Sequence, residues 1–418
     1  MTTAMKARHE NTQFLDGLRG LAALSVVFSH LALWYFPEAH SGIGPTMTSA
    51  SATALWLYHS PVSFFYKGGY AVSVFFVLSG FVLATICMKK QTESIYLAKA
   101  TAKRYIRLGG PVAASIFLCI ILKSLGLFHN TDLGISVPLS NAYDSSANWW
   151  AAIKSAVYGA MLYGDRSFNY VLWTISIEFY GSLLVFSLVG IFGVSKLVFR
   201  RAALLLSLVF FVQAGQLVNY SMFFFGAWLS TFRFTPSHSH NGLAITAIIG
   251  GLYLGGYAPT SGSYSLLVKL ANTLQVNGIK LNWPAVYACL GAVLLIYGTL
   301  ALKSIHSILS SSALSWMGAI SFSLYLTHSF VLTAIAGPVM HAFGDGTVSF
   351  AVSTTLVVVT SLICAHIFWK LFDSPSIRAA DRFAELFVSQ RTSSERQNKG
   401  WGKSELELER RSEPPEGS

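Results

Sequence analysis

Apolar residues gather into long blocks along this chain. Stretches of about 17 to 25 mostly apolar residues, with a few shorter ones, are long enough for helices that cross a bilayer core of about 30 Å. They fall at roughly 14–36, 62–88, 106–127, 171–193, 202–218, 220–233, 243–258, 284–302, 316–338 and 348–371. The sixth, at 14 residues, is short and is read as tilted, re-entrant or fused with its neighbour. The pattern predicts an all-α polytopic membrane protein, with about ten transmembrane helices around a polar cavity.

The polar links between blocks alternate in charge, as the positive-inside rule requires of a bundle with this count. Lys6 and Arg8, then Lys89, Lys90, Lys99, Lys103, Arg104 and Arg107, then Lys196, Arg200 and Arg201, then Arg233, Lys303 and the basic tail fall on one side. The other side holds only scattered Lys67, Lys154, Arg166, Lys269 and Lys280. Both termini are therefore expected in the cytoplasm. Three parts follow: a cytoplasmic N-terminal segment at 1–13, a membrane domain at 14–375, and a cytoplasmic tail at 376–418 that turns polar and charge-mixed from about residue 389 and is expected to be disordered there. The stretch 128–170, with tryptophans at 149 and 150, suits the outer interface.

Composition agrees. Of 418 residues 53% are hydrophobic and 11% charged, against about a quarter charged in soluble domains. The net charge of +11 would suit nucleic acid, but it forms no stripe on a polar domain and accompanies no nucleic-acid motif. Its placement reads as membrane orientation. Cys87, Cys119, Cys289 and Cys364 lie in apolar runs without C-x-x-C spacing, so packing is expected rather than a disulfide framework or a metal site. The first block is about 23 residues long and lacks a clear cleavage site, so it is expected to stay as an anchor.

Several blocks contain groups that hydrocarbon does not tolerate alone. An intramembrane charge costs several kcal/mol and by default faces a polar cavity and a partner. The first block carries Asp16, Arg19 and His30. Arg19 and His30, eleven residues apart, return to within about 20° of one helical face, roughly 16 Å apart along the axis, so one cavity can hold both at two depths. A snorkelling Arg19 and a His30 that hydrogen-bonds between helices account for the pair equally well. Glu178, in WTISIEFYGSLL, falls by this topology at a depth similar to His30 and could fix the tautomer of the imidazole; a structural hydrogen bond or a proton site fits a lone Glu too. Arg104 and Arg107, in KRYIRLGGP, sit on adjacent turns of one face, with the fork geometry that phosphates accept, or as simple positive-inside anchors. Ser321, Tyr325 and His328 make a polar stripe at i, i+4 and i+7, either a substrate surface or interhelical glue. The glycines of KGGYAVSVFFVLSGF suit close helix packing.

These segments together resemble the acyltransferase-3 family of integral membrane O-acyltransferases, from about Phe14 to Pro375. The most specific feature is an Arg and a His separated by ten residues, matched by Arg19 and His30 in LDGLRGLAA and its continuation. FFVLSGF, the R-x-x-R-x-x-x-P run at Arg104 to Pro111, WTISIE and SFSLYLTH support it in order. Asp373-Ser-Pro375 stands where many members carry Glu, another residue, then Pro. The resemblance implies about ten spans, a cytoplasmic acyl-CoA donor as co-substrate with no bound cofactor or metal, and an acceptor hydroxyl on a carbohydrate, lipid or natural product. Because no esterase-like domain follows the membrane domain, a small hydroxylated molecule, such as a secondary metabolite, is expected ahead of a polymer.

An alcohol is a weak nucleophile at neutral pH and needs a base as the bond to the acyl carbon forms. The catalytic candidates are His30 as that base, Arg19 to hold the donor or polarise its carbonyl, and Glu178 to orient His30 or contact the acceptor. Arg104 and Arg107 are expected to bind donor phosphates, and Ser321, Tyr325 and His328 to shape the acceptor pocket. A proton-coupled secondary transporter is the competing expectation, since an intramembrane Arg, His and Glu can also build a pathway, although no internal repeat of the transporter kind is visible.

Overall fold

The computed structural model describes residues 13–42, 51–90, 95–128, 143, 148–213, 215–234, 241–278, 280–344 and 346–386, and among them there are helices and turns but no strand. Ten helices of 13 or more residues carry the bundle: α1 (Gln13–Tyr35), α2 (Gly68–Lys90), α3 (Tyr96–Ser124), α4 (Trp173–Phe192), α5 (Lys196–Phe211), α6 (Leu217–Leu229), α7 (Asn241–Gly255), α8 (Trp283–Ala301), α9 (Ser312–Phe343) and α10 (Thr347–Phe368). Each coincides with one apolar block. Seven helical stretches, at α1 to α4 and α8 to α10, are long and apolar enough to cross a membrane. The protein is thus an all-α, multi-pass membrane protein.

The blocks that were shortest in sequence are also the shortest helices. α5, α6 and α7 have 16, 13 and 15 residues, and 13 residues at 1.5 Å rise reach only about 20 Å, less than the hydrocarbon core. α5 starts at Lys196, six residues before its apolar block. It ends at Phe211, and Gly215, in the left-handed region at φ 70°, helps turn the chain into α6. Such a backbone conformation is open to glycine at little cost. At the other end of the chain the helical path runs past Pro375 to Leu386, and Lys103 holds it to α3 through Asp381 at 3.1 Å. The segment 1–12 and the tail from 387 lie outside the described residues.

Two close crossings set the register of the bundle. Gly20 and Gly318 bring α1 onto α9: a Cβ on Gly20 would meet the Gly318 backbone nitrogen at 2.8 Å, and one on Gly318 would clash with the Asp16 carbonyl oxygen. Gly80 and Gly226 do the same for α2 and α6, where an added Cβ would clash with the Phe223 or the Val77 carbonyl oxygen. Small residues of this kind let membrane helices approach when no hydrophobic force drives them together. Above Gly20 the α1–α9 seam is filled by Ala23, Val27 and Leu31 against Ile320, Leu324 and Val331. It closes with Trp34 Nε1 donating to Met340 Sδ at 3.1 Å. Cys87, Cys119 and Cys289 are buried in the packing.

At the C-terminal end of α1 a short helix, Pro37–Ser41, folds back onto the bundle. His40 Nε2 lies 3.1 Å from Ser29 Oγ, which also accepts from the Gly68 backbone N–H at 3.0 Å. Lys67 Nζ donates to the His40 carbonyl at 2.7 Å. Burial, with the neighbouring Lys67 ammonium, pushes His40 down from 6.5 to about 4, and burial pushes Lys67 down to about 8. The folded pKa of His40 is below its unfolded value, so the unfolded chain binds the extra proton between the two and stability falls as pH drops from about 6.5 to about 4. Thermal unfolding in detergent is expected to show this decline, and His40→Gln, which cannot titrate, to flatten it; an unchanged slope would contradict the burial of a neutral ring.

Candidate functional site

The bundle encloses a cavity of about 510 Å3 between α1, α2, α3, α4, α9 and the end of α10, within the range of small-molecule sites. Its walls are mostly apolar, with Val72, Phe75, Val82 and Ile175 among them. Six charged residues interrupt them: Asp16, Arg19, Arg104, Arg107, Glu178 and Asp373. The first block places Asp16 and Arg19 on one face of α1 three residues apart, where they form an ion pair. Arg19 Nε is nonetheless buried without an acceptor among the described residues.

Glu178 does not meet His30. Its Oε1 accepts from Arg104 Nη2 and from Ser79 Oγ at 2.9 Å, and Arg104 Nε donates to Ser182 Oγ at 2.8 Å. Depth along α4 explains the difference. The residue level with His30 is Tyr170, whose ring lies edge-on to the imidazole at 5.2 Å between centroids, and Glu178 is eight residues further along, about 12 Å deeper at 1.5 Å per residue. α3 also begins at Tyr96, ten residues before its apolar block, so Arg104 lies well inside a helix and is only 7% exposed. Glu178, Arg104 and Ser79 therefore tie α4, α3 and α2 together beside the cavity.

Arg107 is different. One turn on from Arg104, it is exposed to the cavity, and among the described residues no carboxylate lies within ion-pair distance of it. The two arginines expected to act as a pair thus divide: Arg104 is committed to Glu178, and Arg107 keeps its donors free. Asp373, in the segment that packs against α3 after α10, is buried with its carboxylate 3.5 Å from Ser323 Oγ.

The stripe on α9 divides too. Ser321 lines the cavity and donates to the Gly318 carbonyl at 2.7 Å. Tyr325 also lines the cavity, where its hydroxyl donates to the Val171 carbonyl and receives Thr174 Oγ1, both at 2.8 Å. His328, 1% exposed, leaves the cavity wall. Its Nε2 is 2.8 Å from His30 Nδ1 and its Nδ1 is 2.9 Å from the Leu324 carbonyl oxygen. His30 itself is half-buried and is not a wall residue. Tyr325 stands between the two regions, with its ring 6.1 Å from that of His328. Arg19 and His30 thus share one helix and one seam, with Arg19 in the cavity and His30 beyond Tyr325.

Sequence reasoning passed over Asn169, Tyr170 and Ser79. Asn169 is fully buried, donates through Nδ2 to the Leu326 carbonyl at 2.8 Å and accepts from Ser329 at 3.1 Å, which sets Tyr170 against His30. An amide just ahead of an apolar block is a visible signal. Ser79, a hydroxyl inside FFVLSGF, gives a weaker one.

The arrangement provides an unpaired guanidinium, a second with a free N–H, and an imidazole pair beyond a tyrosine: groups suited to holding an anionic or carbonyl-bearing ligand near a base. Similar chains act on acyl groups. The chain is 24% identical to the O-acetyltransferase PaAT-1 of Phomopsis amygdali over 414 residues, covering 86% of this chain and 80% of the relative. It is 20% identical to acyltransferase R4 of Phoma sp. (strain ATCC 20986 / MF5453), covering 90% of this chain and 96% of the relative. It is 23% identical to acyltransferase clz18 of Cochliobolus lunatus, covering 88% and 95%. No solved structure matches. The acyltransferase-domain family profile matches residues 12–370, from the start of α1 to the end of α10, and by that match the chain belongs to the acyltransferase-3 family.

Proposed function

We propose that this acyltransferase moves an acetyl or other short acyl group from an acyl-CoA donor to a hydroxyl of a small molecule, such as a secondary metabolite, or of a carbohydrate. The observation that carries this reading is the cavity in which Arg19 Nε is buried without an acceptor and Arg107 has no carboxylate within ion-pair distance among the described residues, beside the seam that holds Tyr325, His328 and His30. The donor enters from the end lined by Gln13, Trp369 and Ile377, the cytoplasmic side in the charge-based topology. Arg107 holds its phosphates. Arg19, about 16 Å earlier along α1, holds the donor's pantetheine arm, and His30 takes the proton of the acceptor hydroxyl as oxygen attacks the acyl carbon and the thiolate of the donor leaves. The acetyl group is favoured by the relative named an O-acetyltransferase.

Metabolites from a strain lacking the gene, compared with wild type by mass spectrometry, are expected to show one product lost by an acyl mass. The unacylated compound, mixed with acetyl-CoA and the purified protein in lipid nanodiscs, is then expected to release free CoA thiol. Solute flux in liposomes without thiol release under any acceptor would replace this reading with transport. Arg107→Ala is expected to raise the donor KM about 10- to 100-fold, the worth of a hydrogen-bonded charge, with kcat little changed because the contact is made equally in the ground state. A loss confined to kcat would move Arg107 into the chemical step.

A further inference from the structure

We propose that His328 is a positioning residue that fixes the tautomer of His30. The Leu324 carbonyl oxygen can only accept, so His328 Nδ1, at 2.9 Å, carries the hydrogen. In the neutral ring Nε2 then holds the lone pair and can only accept. The atom 2.8 Å away is His30 Nδ1, so that nitrogen carries the hydrogen between the rings, and His30 Nε2 is left with its lone pair. A base that removes a hydroxyl proton needs that form of the ring.

The surroundings leave no rival for this role. Among the described residues no carboxylate is hydrogen-bonded to either imidazole, because Glu178 is committed to Arg104 and Ser79 and Asp373 to Ser323. The other titratable groups near the pair are Tyr170, edge-on to His30, Tyr325 beside His328, and His40, which reaches toward the same turn of α1 through Ser29. The Gly20–Gly318 crossing and the apolar seam above it hold α1 against α9 at the register that the contact needs. A backbone carbonyl and a neutral histidine thus hold the ring's tautomer and orientation as a carboxylate does in a Ser-His-Asp triad, without placing a charge in the bundle. His328 acts through His30 and not as part of an acceptor pocket.

The inference rests on His30 as the base, and the test separates the two. Protein with 15N-labelled histidine, reconstituted in lipid, is examined by solid-state NMR, with the His30 signals identified by their loss in His30→Ala. The wild-type ring is expected to be protonated on Nδ1 and bare on Nε2; the reverse pattern overturns the proposal whatever the variants do. His328→Leu is expected to shift His30 toward the Nε2–H form and to lower kcat about 100-fold, the lower end of what a positioned base contributes, at unchanged donor KM. His328→Gln, whose side-chain oxygen can accept from His30 Nδ1, is expected to keep the wild-type tautomer and recover most of kcat. A Leu variant that keeps the Nδ1–H form, or a Gln variant no faster than Leu at equal thermal stability, overturns the role of His328. Full activity in His30→Ala removes the base while leaving the tautomer measurement to stand.

Discussion

Replacing His30 with alanine is expected to lower acyl transfer by about 1000-fold, within the range that a positioned general base supplies. The loss should be chemical rather than structural. His30 is half-buried, and its removal leaves one neutral nitrogen of His328 without a partner, a cost of about 1 to 3 kcal/mol. The α1–α9 seam keeps Val27, Leu31 and Trp34 in place. Donor binding should also survive, because Arg19 is eleven residues earlier on α1, roughly 16 Å along the axis, and Arg107 belongs to α3. Turnover measured beside expression level, melting temperature and binding of a non-hydrolysable acyl-CoA analogue gives the separation. A fall in kcat alone supports the base. Unchanged turnover removes it, and a fall in donor affinity would make His30 part of the cavity that Arg19 lines.

The sequence made the helices legible because hydropathy is a property of position along one chain. Ten apolar blocks became ten helices, and the weakest blocks became the shortest helices. Charged and polar residues inside those blocks point to a shared cavity for the same reason: Arg19, Arg104, Arg107, Glu178, Ser321 and Tyr325 all line it. Which of them touch was not legible. Counting from block edges puts Glu178 and His30 at similar depth, but the residue level with His30 is Tyr170, in the short 3-10 turn just ahead of α4 and eight residues before Glu178. The helix ends cause part of this difference, since α3 extends ten residues ahead of its apolar block and carries Arg104 down to Glu178. The His30–His328 contact spans 298 residues of chain. Its register comes from glycines at a helix crossing, and nothing in either block taken singly specifies the other as its neighbour. Ser321, Tyr325 and His328 share one face of α9, but they reach different surroundings because α4 and α1 meet different turns of that helix.

Removing the charge of Glu178 is expected to destabilise the protein more than it slows chemistry. Arg104 and Glu178 form an ion pair with side chains 8% and 17% exposed, and Glu178 also accepts from Ser79. Three helices meet through one carboxylate. In Glu178→Gln the guanidinium of Arg104 stays buried without a compensating charge, and breaking a buried pair from one side costs about 3 to 5 kcal/mol. Replacing both members with apolar residues of similar volume removes the stranded charge, and such exchanges are often neutral or stabilising. The double variant Arg104→Met with Glu178→Met is therefore expected to regain most of the melting temperature lost by Glu178→Gln. Activity separates this strut from the catalytic role that the sequence suggested. For a strut, thiol release per folded molecule in the double variant should stay within about tenfold of wild type, because Arg107 still faces the cavity and His30 keeps its contact with His328. Were Glu178 part of the proton path as well, Glu178→Gln would lose kcat per folded molecule by 100-fold or more, and restoring the packing in the double variant would bring none of it back.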